Sequence, residues 1–138
     1  MFIYLNTDYL QVNAIFEVAL FIPLPSHNIM NKSNIFVHIE LSKLVAGLRS
    51  ETILLKQSLK SQAGYFNIIP LKYFSDVLCP EWENIIEEIK HKGPKLGFDG
   101  KILVNAVTNT IDQMSVQECA ALALRIMNLN EKVKLEFE

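Results

Sequence analysis

Cysteine is scarce in this chain. Cys79 and Cys119 are the only two, they stand far apart, and neither has a Cys or His at metal-ligand spacing around it. That excludes a zinc site of finger or ribbon spacing and the disulfide-dense framework of a small secreted domain. Charge of one sign is lacking as well: 13 bases against 15 acids leave a formal net charge of -2. Nucleic-acid binders use an electrostatic excess to displace counterions from phosphates, so a nucleic-acid partner is not expected here.

Basic residues are missing from positions 1–29, which contain Asp8 and Glu17 but no Lys or Arg. A secretory signal needs a positively charged start, and here the first base is Lys32. The apolar run over 12–24 is interrupted by Asn13 and Glu17, ends in Pro23-Leu24-Pro25, and falls short of the ~20 residues that cross a bilayer as a helix. No transmembrane segment is expected, and the location expected is cytoplasmic.

Several catalytic signatures are absent too. No Ser nucleophile elbow or His-Glu-x-x-His zinc motif occurs. The glycine-rich stretch 93–101 ends in Gly100-Lys101, but a phosphate-cradling loop needs Gly and Ser or Thr where this chain has Lys95 and Ile102. A turn followed by a helix start at Asp99 is the simpler reading. Glu88-Ile89-Lys90-His91 has the Glu-x-x-His form of carboxylate-bridged metal sites, yet such sites take two of these motifs, and this one lies off its helix's apolar stripe. No metal and no cofactor is expected.

What is present is a globular mixture, 50% hydrophobic and 20% charged, in a length suited to one domain of roughly 100 to 200 residues. Positions 1–29 read as an apolar N-terminal arm, a hairpin or a buried helix, and 30–138 as a helical domain. Within 34–62, Val37, Leu41, Leu44, Val45, Leu48, Leu55 and Leu59 recur mostly at steps of three and four residues, the period of one helix face. The spacing predicts a single long amphipathic helix, with Gly47 as a weak point. Residues 63–74, rich in Tyr, Phe and Ile, predict an apolar connection packed on the core.

The next helix has matching terminus signals over 80–92: Pro80 at the start, Glu81 and Glu83 in the first turn, Lys90-His91-Lys92 in the last, then Gly93-Pro94. Its inward stripe is Trp82, Ile85, Ile86 and Ile89. Positions 102–114 fit a helix, although their β-branched content also fits a strand. Ser115-Val116-Gln117-Glu118 is a capping box and predicts a helix from Val116 to about Leu135. Cys119, Leu122, Ile126, Leu129 and Val133 form its stripe; Ala120, Ala121, Ala123, Leu124 and Met127 widen it, predicting neighbours on more than one side.

The fold class these elements predict is mainly α, a small helical bundle with an apolar arm. The function expected is a non-enzymatic protein-interaction or adaptor module, partnered by itself or another protein. Leu41, Leu44, Leu48, Leu55 and Leu59 are the expected interface, because a straight helix over 34–62 would project beyond its own core and expose that stripe to a second copy. Arg49, Lys56 and Lys60 share one flank of it, available to an acidic partner. The competing reading is a small enzyme or ligand binder using Cys79 or a histidine, His27 or His38. Cys79 stands just before Pro80, where a helix dipole would lower a thiol's pKa.

Overall fold

Asn34 opens the first helix: its side-chain oxygen accepts the Phe36 N–H at 2.8 Å, satisfying one of the donors that a helix start leaves unpaired. The computed structural model describes residues 31–50 and 54–138; the arm over 1–29, with His27, lies outside the described residues. The chain is mainly helical. Helix α1 is Ile35–Ser50, α2 Leu55–Ser61 and α3 Tyr65–Ile68, followed by a 3-10 turn at Leu71–Tyr73. Then come α4 Cys79–Ile89, the strands β1 Lys95–Leu96 and β2 Ile102–Val104, α5 Ala106–Gln113 and α6 Val116–Leu135.

Helix α6 is the organising element, packed against α1, α2 and α4. Its capping box is formed as the sequence predicts: the Ser115 hydroxyl accepts the Glu118 N–H at 3.1 Å, and the Glu118 carboxylate accepts the Ser115 N–H at 2.8 Å. Leu122, Ile126, Leu129 and Val133 have no exposed surface. Helix α4 runs antiparallel to it, as the pairs Glu81–Lys132 (2.8 Å) and Glu88–Arg125 require. Helix α1 is antiparallel too, with Ser33 bonded to Glu136 at one end and Ser42 to Asn130 farther along.

The predicted single helix over 34–62 is instead two helices. Leu54 has extended backbone, φ -58° and ψ 142°, and α2 packs against both α1 and α6. Folding back buries both halves of the leucine stripe in one core, which a projecting helix would leave in water. Gly47 permits the close approach: a Cβ there would stand 2.4 Å from Gln62 Cδ. The apolar connection packs as expected around Trp82, which is fully buried. The Trp82 indole N–H donates to the Ile69 carbonyl at 3.1 Å, and its ring stacks with Phe66 and Phe74 at centroid distances of 5.9 and 5.4 Å.

Three further expectations are corrected. Residues 102–114 contain both alternatives in series, strand β2 and helix α5, with Asn105 between them as the cap; its side chain accepts the Thr108 N–H at 2.9 Å. The proposed helix start at Asp99 is a turn residue instead, its carboxylate accepting the Lys101 N–H at 3.0 Å. The widened stripe of α6 is not enclosed on every side: Ala120, Ala121 and Leu124 are exposed. Their helix meets its neighbours on one broad face and leaves the opposite face to solvent.

Candidate functional site

The candidate site is the two-stranded hairpin between α4 and α5. Gly93 leaves the end of α4 with φ +68°, a conformation that favours glycine. Helix α5 holds the hairpin's base: Asn109 donates through its side-chain amide to the Gly93 carbonyl at 2.9 Å, and Thr110 Oγ1 accepts the Lys92 N–H at 3.1 Å. Strand β1 then pairs antiparallel with β2, Leu96 opposite Ile102, with an irregularity in register next to Lys95. The tip is closed by the Gly100 N–H to the Gly97 carbonyl (3.0 Å) and the Gly97 N–H to the Lys101 carbonyl (2.9 Å). Gly100 takes φ +79°, the left-handed step that a tight hairpin needs.

The surface so presented is apolar. Phe98 at the tip is fully exposed, and Leu96, Ile102 and Leu103 are exposed by 55%, 63% and 65%. Exposed apolar residues scattered singly are ordinary, whereas a cluster of large ones on one element marks an interaction surface. Among the described residues this sheet has two strands, so each keeps one edge without a strand partner there, a row of backbone groups that a further strand could use. The border is basic: Lys92, Lys95 and Lys101 are exposed and Lys90 half-buried, with Asp99 the one acid between them.

The residues singled out from sequence lie elsewhere. Leu41, Leu44 and Leu59 have no exposed surface, Leu48 is 6% exposed, and Leu55 packs against the same core. They are the inside of the protomer, so the expected dimer face through them is corrected; the fold-back of α2 and the seat of α6 cover it. Lys60 and Lys56 hold the end of α5, the first pairing with the Asp112 carboxylate at 2.7 Å and the second donating to the Asp112 carbonyl at 3.2 Å. Arg49 is exposed near the end of α1. The three do not meet as a grip for an acidic partner.

Cys79 is half-buried, and the expected lowering of its pKa is reversed. Burial pushes the thiol up, and the carboxylates of Glu83 and Asp76 push the same way. Cys119 is buried and is likewise raised, first by burial, with Glu118 adding to the rise and Lys56 opposing it. Neither is an activated nucleophile.

His38 stacks on Phe137 with ring centroids 4.9 Å apart, and its Nδ1 is buried without a hydrogen-bond partner among the described residues. Glu88 and His91 line an open, polar cleft of about 480 Å³ beside Lys92, Thr110 and Glu118. Among the described residues no three His, Cys, Asp or Glu side chains are grouped to hold a metal ion. No helix among them is long and apolar enough to cross a membrane.

Comparison with family models, with curated proteins and with solved structures returns no match to this chain.

The hairpin was missed in the sequence because its strands are only two and three residues long, too short for any periodicity to register. The signal that was there is Gly97 and Gly100 flanking Phe98-Asp99, followed by Ile102-Leu103-Val104. Turn glycines ahead of a β-branched run favour a hairpin over a helix start.

Proposed function

We propose that this chain is a non-enzymatic protein-interaction module whose docking element is the 95–104 hairpin, and that its partner is a protein segment combining apolar and acidic residues. The observation that carries this reading is the full exposure of Phe98 beside the cross-strand pair Leu96 and Ile102. Leaving these side chains in water costs roughly 1.5–3 kcal/mol each relative to burial. The partner's charge follows from Lys90, Lys92, Lys95 and Lys101 against the single Asp99. Two copies of the hairpin face to face would set lysines against lysines, whereas an acidic segment relieves them. An extended segment would add its backbone to a free strand edge and seat alternate apolar side chains on Leu96, Ile102 and Phe98.

A displayed library of random peptides, selected on the full chain, tests the reading. The expected binders alternate apolar and acidic residues, weaken as salt rises, and lose binding to the double variant Phe98→Ser, Ile102→Ser. Binders indifferent to that variant would overturn the assignment of the hairpin. A labelled single-stranded oligonucleotide that binds the wild type and not the variant would reassign it to nucleic acid.

A further inference from the structure

The chain enters the bundle at a pinned point. The Asn34 N–H donates to the Tyr73 carbonyl at 2.7 Å, and the Ser33 N–H donates to the Glu136 carboxylate at 2.9 Å. Whatever precedes these residues therefore starts beside the first turn of α1, where an apolar face is left open. Ile35 and Ile39, four residues apart and so one above the other on the helix, are 54% and 47% exposed. Aromatic pairs border them on both flanks: Phe36 meets Tyr73 edge-on with centroids 6.0 Å apart, and His38 stacks on Phe137. On the Tyr73 flank, Leu71 is exposed as well, and Ile68, Tyr65 and Glu40 help to line a hollow of about 290 Å³.

We propose that this face is covered by residues 12–24 of the same chain. The segment has its own apolar surface to bury, with Ile15, Phe16, Leu20, Phe21 and Ile22 among its residues. Charge agrees with the pairing. The arm over 1–29 contains Asp8 and Glu17 and no base, while each flank of the face holds a cation, the Lys32 ammonium over the Phe137 ring and the Lys72 ammonium over that of Tyr73. Glu40 is matched by Lys43 at 3.2 Å.

Reach agrees too. Residues 26–33 can span up to about 28 Å at about 3.5 Å per residue, more than the length of α1, whose 16 residues extend about 24 Å at ~1.5 Å per residue. A tether of this length holds the segment at an effective concentration on the order of millimolar, an advantage that a separate protein or a second copy lacks. The hairpin lies at the other end of the bundle: α1 and α4 both run antiparallel to α6, so the chain enters beside Glu136 whereas the hairpin follows the end of α4 that meets Arg125. The inference is thus independent of the function proposed above.

The test places a photoreactive benzoylphenylalanine at Ile39 of the full chain, in an equal mixture of isotopically light and heavy protein. After irradiation the expected product has monomer mass and joins position 39 to a residue within 12–24, light to light and heavy to heavy. The same probe at Phe98, on the hairpin tip, should capture none of 12–24. Phe16→Asp plus Leu20→Asp should lose the crosslink from position 39 while keeping the far-UV helical signal, because two carboxylates cannot be laid on an apolar face without a desolvation cost. That variant should also bind more of an apolar fluorescent dye than the wild type, since the face is then uncovered. Absence of a crosslink from position 39 into 12–24, a product joining light to heavy chains, equal capture from positions 39 and 98, or a crosslink undiminished in the double aspartate variant would each overturn the proposal.

Discussion

The Ser75 hydroxyl donates to the Glu136 carboxylate at 2.6 Å across 61 residues of sequence. The other carboxylate oxygen accepts the Ser33 N–H at 2.9 Å, and Ser33 Oγ accepts the Ser75 N–H at 3.0 Å. Three separate segments, the approach to α1, the approach to α4 and the end of α6, are thereby tied at one buried point. Phe137 adds to the closure, with His38 stacked on its ring and the Lys32 ammonium 4.5 Å from its centroid.

Burial alone would raise the Glu136 pKa, but the hydrogen bonds from Ser75 and Ser33, helped by Lys32, outweigh it and hold the carboxyl below its ordinary value of 4.5. A carboxyl with a lowered folded pKa contributes stability that is complete above the ordinary value and is lost as pH falls through the folded one. The midpoint difference between wild type and Glu136→Gln should therefore be full at neutral pH and shrink below about pH 4.5. A difference that stays constant down to about pH 3 would show that the ionised form is not what the clasp holds. Glu136→Ala, which strands the Ser75 hydroxyl and the Ser33 N–H, should cost roughly 1–3 kcal/mol.

Ser115→Ala removes the acceptor for the Glu118 N–H at the start of α6. Chemical denaturation should report a loss of about 0.5–2 kcal/mol. Because Glu118 returns the bond to the Ser115 N–H, the double variant with Glu118→Ala should cost less than the two single losses together. Strict additivity would mean that the two bonds are independent.

Ile126 has no exposed surface and sits midway along the inward stripe of α6. Truncation to Ala should cost about 2–5 kcal/mol in equilibrium unfolding. Phe98→Ser, at the fully exposed hairpin tip, should move stability by no more than about 0.5 kcal/mol. If Phe98→Ser destabilised the chain as Ile126→Ala does, the hairpin would be a structural element and its apolar face no docking surface.

Cys79 should react sluggishly. With its pKa raised by burial and by Glu83 and Asp76, little thiolate is present at neutral pH, and the thiolate is the nucleophile. Alkylation by a charged reagent should run slower than for a free cysteine under the same conditions. A faster rate would restore Cys79 as a reactive centre.

Local chemistry determined a large part of this protein. The capping box at Ser115, the register and length of α6, the burial of its Leu122–Val133 stripe and the turn signals bounding α4 are legible because each depends on residues within a turn or two of one another. The mainly helical class follows from the same periodicities. Tertiary structure decided the rest. Whether 34–62 is one helix or two depended on α6 being there to receive Leu59, since period alone does not distinguish a straight stripe from one that folds back on itself. That Lys56 and Lys60 are engaged depended on Asp112 arriving beside them. The sign of the Cys79 shift depended on burial and on Asp76 and Glu83 facing the thiol, so sequence position at a helix start gave the wrong direction. The exposed surfaces were least legible of all. Leu124 and Leu41 are the same residue in similar apolar patterns, and what separates an exposed face from a core is which of them another part of the chain covers.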